Sequence, residues 1–295
     1  MTHHNRHSRR LQALRRLTDA FSNEGLTCVS LKGPLLAERF YDDPFLRPSN
    51  DLDVLIYEKD VSSAARLMRK LGFQLENGFP WTLQRRVNQH LNFSGTDWSP
   101  RVEVHYRWLA GGILIDSDEF VSRSHIWRSP SGFEAKVLSP ADEAFYCCVH
   151  AANHGFHRLR WLYDVIQIAR KLTEGERMSV RNLVIRHHQA GHFIAAAMAA
   201  REFFGETLDL GCGALPASWI DLTPRQARRM VERLEGNSVT LAEKVGYRLD
   251  LFRMTQSPAD AIRLLASAAD CEIRKKWYAI RHRVDPEILY RSLLD

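Results

Sequence analysis

The sequence has little cysteine: five cysteines are scattered over 295 residues, and no two of them form a C-x-x-C pair. That spacing argues against a disulfide framework and against a thiolate zinc site. Long apolar runs are also absent, since no segment approaches the roughly 18 uninterrupted apolar residues of a membrane-spanning helix. The basic N-terminus lacks the apolar stretch of a secretory signal. We therefore expect a soluble, cytoplasmic protein with no membrane partner.

A strongly biased composition is missing as well. Hydrophobic residues make up 45% of the chain, which is enough for one large domain or two modest ones. Lys and Arg outnumber Asp and Glu by 41 to 35, so the surface favours anionic partners without carrying a basic nucleic-acid-binding tail. Nucleotides, nucleic acids and phosphorylated substrates stay open as partners, although we expect no stable DNA binding.

The first half of the chain alternates helix and strand signals. Apolar residues at helical spacing predict an amphipathic helix over residues 8–23 and another helix over residues 61–71. Short apolar runs predict strands at 27–31 and 51–56, and Pro34 suits the first turn of a helix between them. Three later runs, "HLNFSG", "VEVHYRW" and "FEAKVL", predict further strands of one mixed sheet.

The second half shows helical signals. The segments "SPADEAFYCCVHAANH", "RLRWLYDVIQIARKL" and "SVRNLVIRHHQAGHFIAAAMAAREFFG" each run at helical spacing with few strand signals. We place a domain boundary near Leu138, which separates an α+β half, residues 1–138, from an all-helical half, residues 139–295. Three apolar residues of the helical half are expected to pack it against the sheet: Leu159, Trp161 and Leu162.

Two acidic residues interrupt the predicted strand "DLDVLI". Residues i and i+2 of a strand point to the same side, so Asp51 and Asp53 project side by side with Cα atoms roughly 6–7 Å apart. Their neighbours Leu52 and Val54 anchor the strand in a core, where two unpaired like charges need a compensating cation. Mg²⁺ prefers carboxylate oxygens and keeps water and phosphate in its other positions. The alternative is a turn, because Ser-Asn-Asp clusters often mark turns.

A third acid occupies a similar position in another predicted strand. Glu103 lies between Val102 and Val104, and it would converge with the two aspartates if its strand neighbours theirs in register. Two metal ions bridged by such carboxylates activate an attacking oxygen and neutralise a triphosphate during in-line displacement. The alternative is a structural pair between Glu103 and an arginine such as Arg101 or Arg107.

The order of these elements resembles a known superfamily. A strand, a glycine-containing turn into a helix, D-x-D on the next strand and one acid on a later strand form the layout of the polymerase β-type nucleotidyltransferases. Within them, the chain is similar to a poorly characterised bacterial group over residues of about 28–168. The matching residues are Leu31-Lys32-Gly33, Tyr41, Arg47, Asp51-Leu52-Asp53-Val54-Leu55, Glu103-Val104-His105, His150, His154, Arg158-Leu159, Trp161-Leu162 and Asp164.

The resemblance implies an α+β nucleotidyltransferase catalytic domain at 1–138 and a helical acceptor-binding domain at 139–295. It also implies Mg²⁺- or Mn²⁺-dependent transfer of a nucleoside monophosphate from an NTP, with ATP as the expected donor, to an acceptor hydroxyl or phosphate. Pyrophosphate is released. The residues it assigns are Asp51, Asp53 and Glu103 as catalytic metal ligands, Lys32 as a catalytic residue that steadies the triphosphate, and Lys32, Gly33, Arg47 and His154 as nucleotide contacts.

One turn departs from the superfamily pattern. The usual Gly-Gly or Gly-Ser turn, which holds phosphate oxygens, is replaced here by Lys32-Gly33-Pro34. The lysine offers a positive charge, and the helix N-terminus after Gly33 still offers free N–H groups. The alternatives are a solvated Lys32 at a strand end and an Arg47 that pairs with Asp42 or Asp43.

Two questions of function stay open in the sequence. A non-catalytic nucleotide- or RNA-binding module on the same fold is the alternative to an enzyme, and the acceptor is a small molecule, a peptide, a protein or RNA. His150, His154 and His157 superficially resemble a zinc ligand set, but no H-E-x-x-H motif is present. We expect His150 and His154 to line the cleft between the two halves.

Overall fold

The computed structural model describes residues 3–76, 89–110, 113–130, 132–154, 156 and 158–211, and the single residues 262 and 281. The helices expected near the C-terminus lie outside the described residues, as does His157. None of the helices in the described part of the chain is long and apolar enough to cross a membrane.

The described elements are strands and helices in the order that the alternating signals predict. The strands are β1 (Val29–Leu31), β2 (Asp51–Leu55), β3 (His90–Phe93), β4 (Arg101–His105), β5 (Trp108–Ala110), β6 (Ile113–Ile115), β7 (His125–Arg128) and β8 (Glu134–Val137). The helices are α1 (His3–Asn23), α2 (Gly33–Phe40), α3 (Val61–Lys70), α4 (Asp118–Ser122), α5 (Pro140–Asn153), α6 (Leu159–Lys171), α7 (Glu174–Arg186) and α8 (Ala190–Phe204). Two 3₁₀ turns, Pro44–Leu46 and Glu58–Asp60, flank β2.

Six of the strands form one mixed sheet in the order β3-β4-β2-β1-β8-β7. The pairs β2–β4 and β1–β8 are parallel, and the other neighbours are antiparallel. Strands β5 and β6 form a separate two-stranded sheet. The prediction of an α+β fold with a mixed sheet and flanking helices is therefore confirmed.

The main sheet buries both of its faces, each in a different apolar core. Leu52 and Val54 of β2 pack with α1 and α3, as do Val102 and Val104 of β4. On the opposite face, Leu55 joins residues of α5 to α8 in a second core. Because side chains alternate along a strand, Asp51 and Asp53 share the second face with Leu55. The acidic residues thus lie on the face that the later helices cover.

The described elements after Ser139 are helices with recognisable start signals. The Ser139 side chain caps α5 by accepting a hydrogen bond from the Asp142 N–H, and Pro140 follows it in the first turn. Helix α7 begins with a capping box in which the Thr173 and Glu176 side chains bond to each other's backbone N–H groups. The two-domain division at Leu138 stays a prediction.

One predicted helical run is in fact two helices. The segment expected to continue from residue 179 to 205 breaks after Arg186, where His188 adopts a left-handed φ of 54°. The His188 and Gln189 N–H groups donate back to Ile185 and Val184 in the double hydrogen bond of a Schellman C-cap. Glycine usually occupies that left-handed position, so the histidine hid the stop signal.

The apolar residues expected to pack helix α6 against the sheet differ in burial. Leu162 is completely buried in the second core, and Trp161 is partly buried against it. Leu159 is 37% exposed, so the prediction that it packs inward is wrong. Leu159 is the first residue of α6, and a helical side chain points back over the turn before its own Cα, which is missing at this position.

We expect the replacement Leu162→Ala to lower the free energy of unfolding by about 2–5 kcal/mol, because it leaves a cavity in the shared core. Leu159→Ala is the matched control on the same helix and should cost less than about 1 kcal/mol. Urea unfolding monitored by circular dichroism measures both. Equal losses in the two variants would mean that α6 does not pack as the structure shows.

Candidate active site

The strand register brings the predicted acidic residues together. In the parallel pair β2–β4, Asp53 lies opposite Glu103, and Asp51 lies two residues before Asp53 on the same face. Asp53 is buried, whereas Asp51 and Glu103 are partly exposed. The alternative in which the two aspartates cap a turn is not what the structure shows, because both lie within β2. Three carboxylates therefore occupy adjacent positions on one face of the sheet.

A histidine lies between two of these carboxylates. The His105 Nε2 atom is 3.1 Å from Asp53 Oδ1 and 3.6 Å from Glu103 Oε2. Burial alone would lower the pKa of His105, but its hydrogen bonds to Asp53 and Glu103 outweigh burial and raise the pKa. For Glu103 the effects have the opposite sign. Burial alone would raise its pKa, but its hydrogen bond to His105 and the nearby imidazoles hold the pKa below its usual range. His105 thus carries part of the compensating charge.

Asp51 has less compensation than its neighbours. Burial raises its pKa first, and the negative charges of Asp53 and Glu103 raise it further. Lys32 and Arg160 act in the opposite direction but do not cancel these effects. A carboxyl group in this condition gains stability from any additional cation, which is the property of a metal-binding position.

Lys32 is a buried lysine at the edge of this acidic group. Its Nζ atom lies 3.7 Å from Asp53 Oδ1, donates to His150 Nε2 at 3.2 Å, and lies 5.2 Å from the centre of the Tyr146 ring. Only 7% of the residue is exposed, so the alternative of a solvated lysine is wrong. Burial and the charge on Lys32 lower the pKa of His150 far below its usual value, which keeps that imidazole a neutral acceptor.

The backbone of the turn is strained. Lys32 has φ 46° and ψ −136°, a conformation that suits glycine, and Gly33 follows with φ 59°. The Lys32 N–H donates to Glu143 Oε1 of α5 at 3.2 Å, and Arg39 holds Glu143 in place at 2.8 Å. A side chain of the helical half therefore stabilises the turn that aims Lys32 at the carboxylates.

Arg47 stabilises the same turn from the other side. Its Nη1 atom donates to the Gly33 carbonyl at 3.0 Å, and its Nε and Nη2 atoms bind both oxygens of Asp164 in α6 at 2.6 and 2.8 Å. The Tyr41 hydroxyl donates to the same carboxylate at 2.6 Å. The predicted alternative, a pair with Asp42 or Asp43, is wrong, because the partner lies on a helix far along the chain.

Other residues with an open assignment also have defined places. Arg107 pairs with Glu58, so it is not the structural partner considered for Glu103, and Arg101 lies 3.8 Å from that carboxylate. His154 is exposed at the C-terminal end of α5, with its ring centre 4.6 Å from that of His150 and 4.9 Å from that of Trp161. The three rings form one contact cluster, in which His150 also accepts a hydrogen bond from Lys32. The role of His154 as a nucleotide contact stays a prediction.

The residues on this face fit a divalent cation. Carboxylate oxygens of Asp51, Asp53 and Glu103 are the donors that Mg²⁺ and Mn²⁺ take, and burial together with the charges of Asp53 and Glu103 raises the pKa of Asp51, which a bound cation would counteract. In the described part of the chain, ligand atoms of His90, Glu103 and His105 lie within 4.8 Å of one another. Sequence reasoning missed His90, because only the pairing of β3 with β4 places it opposite His105.

The comparison with protein families agrees with these features. The family model described as uncharacterised nucleotidyltransferase matches residues 2–205, which is more than half of the chain. The chain therefore belongs to this family of nucleotidyltransferases. The family predicted from the motifs is thereby confirmed. No curated protein sequence matches the chain.

Several solved structures show weak similarity. The antibiotic-resistance protein ANT(2″)-Ia in complex with adenylyl-2″-tobramycin is 8% identical, and the match covers 60% of this chain and 98% of that one with a TM-score of 0.43. The lincosamide antibiotic adenylyltransferase LnuA, bound to lincomycin, is 12% identical over 58% and 94% of the two chains, with a TM-score of 0.33. An antigenic nucleotidyltransferase-like protein from Paracoccidioides brasiliensis is 12% identical, and the match covers 63% of this chain and 92% of that one with a TM-score of 0.35. These values are low, and family membership rests on the sequence match alone.

We expect Lys32→Gly to be more stable than Lys32→Ala by about 1–3 kcal/mol, because glycine adopts the observed backbone conformation without strain. Both variants lose the same side-chain contacts, so their difference isolates the backbone. Urea unfolding of the two variants in parallel measures it. An alanine variant as stable as the glycine variant would contradict the turn geometry.

The charge on His105 makes the stability of the metal-free protein depend on pH. A histidine with a raised folded pKa stabilises the fold below its unfolded value of about 6.5 and loses that contribution as pH rises through the folded value. The free energy of unfolding of the wild type should therefore fall above about pH 6.5, and it should fall less in His105→Gln. Urea unfolding over a pH series with a chelator tests this. Identical pH profiles would mean that His105 is not the bridging cation.

Proposed function

We propose that this protein transfers a nucleoside monophosphate from an NTP, with ATP as the expected donor, to an acceptor hydroxyl or phosphate. The observation that carries the proposal is the β2–β4 register, which places Asp53 opposite Glu103 and Asp51 beside them on a face the helical half covers. Family membership supports nucleotidyl transfer in general. The identities of the donor, the cation and the acceptor are proposed here in addition to what family membership supports.

The proposed reaction is an in-line displacement at the α-phosphorus. An oxygen of the acceptor forms a bond to this phosphorus while the bond to the bridging oxygen breaks, and pyrophosphate leaves. The proton of an acceptor hydroxyl passes to the carboxylates of the site. Mg²⁺ or Mn²⁺ held by Asp51, Asp53 and Glu103 would supply positive charge to the phosphates. The two apolar cores hold β2 and β4 in place, and this fixes the positions of the carboxylates that would bind the cation.

The turn before α2 is the proposed grip on the triphosphate. Lys32 is buried beside Asp53 and carries a positive charge to the site, and Gly33 begins α2 with N–H groups near the same place. Arg47 donates with Nε, Nη1 and Nη2 to protein acceptors, so we assign it to positioning the Gly33 carbonyl and turn. His154, together with the neighbouring rings of His150 and Trp161, would contact the nucleotide or the acceptor.

The helical half is the proposed selector of the acceptor. Arg160 of α6, in the helical half, donates to the Pro48 carbonyl in the loop before Asp51, and Arg10 of α1, in the α+β half, donates to the adjacent Ser49 carbonyl. Their charges favour an acceptor or donor with negative charge. The acceptor is a small molecule, a peptide, a protein or RNA that carries negative charge.

A cytoplasmic location fits the buried thiols of Cys28 and Cys147.

A non-catalytic nucleotide- or RNA-binding module is the second candidate, favoured only by the basic surface charge. Binding alone does not need three carboxylates on one face, because they repel phosphate unless a cation intervenes. The acidic face therefore favours the enzyme.

We expect Asp53→Asn and Asp51→Asn to abolish transfer of label from α-labelled NTP, with Mg²⁺ or Mn²⁺, to pools of RNA, protein and metabolites. Asp51→Asn should also raise the stability of the metal-free protein at neutral pH, because the raised pKa of Asp51 shows that its charge opposes folding. The matched control is Asp97→Asn, an exposed aspartate outside the site. Full transfer by both site variants would exclude the proposed centre.

A further inference from the structure

Two histidines lie next to the predicted acidic ligands on the same face of the sheet. In the antiparallel pair β3–β4, His90 lies opposite His105, and Glu103 precedes His105 by two residues. Strand pairing thus places two imidazoles and one carboxylate at neighbouring positions. The His90 and His105 ring centres are 4.9 Å apart. This arrangement follows from backbone register, so it does not depend on one flexible side chain.

The distances suit shared coordination of one ion. One ligand atom from each of His90, Glu103 and His105 lies within 4.8 Å of the other two. The Nε2 atom of His105 is 3.6 Å from Glu103 Oε2 and 3.1 Å from Asp53 Oδ1. With metal–ligand bonds of about 2.1 Å, adjacent ligand atoms lie about 3.0 Å apart in an octahedral site and about 3.4 Å apart in a tetrahedral site. Small side-chain movements therefore complete such a site.

The donor types decide which metal the site prefers. Mg²⁺ takes oxygen ligands and retains water, whereas imidazole nitrogen suits first-row transition metals such as Zn²⁺ and Co²⁺. Two imidazoles with one carboxylate form a set that binds these ions with positions left open for other ligands. The three carboxylates predicted from the sequence do not provide this preference by themselves.

We propose that His90, Glu103 and His105 form a transition-metal site of the zinc or cobalt type, which shares Glu103 with the acidic centre and selects such an ion over Mg²⁺. The proposal adds a metal preference to the proposed function. It rests on that function only for the role of the bound ion in nucleotidyl transfer. The competing interpretation is that His105 acts only as an internal cation that neutralises Asp53 and Glu103, and that His90 binds no metal. The two interpretations differ in whether His90 contributes to metal affinity.

Cobalt titration of the metal-free, full-length protein separates these interpretations. We expect bound Co²⁺ to give d–d absorption bands that a large excess of Mg²⁺ does not remove. His90→Gln should weaken Co²⁺ binding at least about tenfold, the lower end of what loss of even an outer-shell partner costs a metal site. His125→Gln, which replaces an exposed histidine on β7, is the matched control and should bind as the wild type does.

A second measurement covers the case in which His90→Gln does not fold. The Co²⁺-loaded wild type should show hyperfine-shifted, exchangeable imidazole N–H resonances in its proton NMR spectrum. Their absence, unchanged affinity in folded His90→Gln, or displacement of Co²⁺ by the large excess of Mg²⁺ would each overturn the proposal. Transfer supported by Mg²⁺ with no Co²⁺ binding would leave the proposed function intact. Co²⁺ binding through His90 with no transfer under any metal would instead support the site and exclude the function.

Discussion

The stability of the fold depends on how the repulsion between three carboxylates on one covered face of the sheet is offset. The parallel register of β2 and β4 sets Asp53 opposite Glu103, with Asp51 on the same side. Neighbouring strands are about 4.8 Å apart, and two carboxylates at that separation repel by about 3 kcal/mol at an effective dielectric constant of about 20. His105 and Lys32 offset this repulsion inside the protein. A bound divalent cation would offset it more completely, which connects the stability of the fold with the proposed chemistry.

The same constraint explains why the helical half is part of the site. Lys32 reaches Asp53 only because its turn adopts a strained conformation, and Glu143 of α5 and Asp164 of α6 hold that turn, the latter through Arg47. Removing one partner of a buried ion pair such as Arg47–Asp164 typically costs about 3–5 kcal/mol, since the other charge is left buried and unpaired. The helices therefore position the turn at Lys32 and Gly33 in addition to covering the acids.

Sequence reasoning reached the residues whose signals are local. The period of two along "DLDVLI" and "VEVHYRW" predicted the same-face acids, and helical spacing predicted α5. Contacts between distant segments were not accessible in this way. Arg47 pairs with Asp164 across 117 positions of the chain, and nothing near either residue indicates the other. His90 was missed because only the pairing of β3 with β4 shows what it faces, and His188 was missed because it replaces the usual glycine of a helix stop.

The central claim is that the acidic face binds nucleotide through a divalent cation. Calorimetric titration with a non-hydrolysable ATP analogue, carried out with divalent cation and again with chelator, measures this without requiring the acceptor. Binding is expected only when the cation is present. Equal affinity in chelator would contradict it, because nucleotide would then bind to the basic groups alone and the three carboxylates would have no part in holding it.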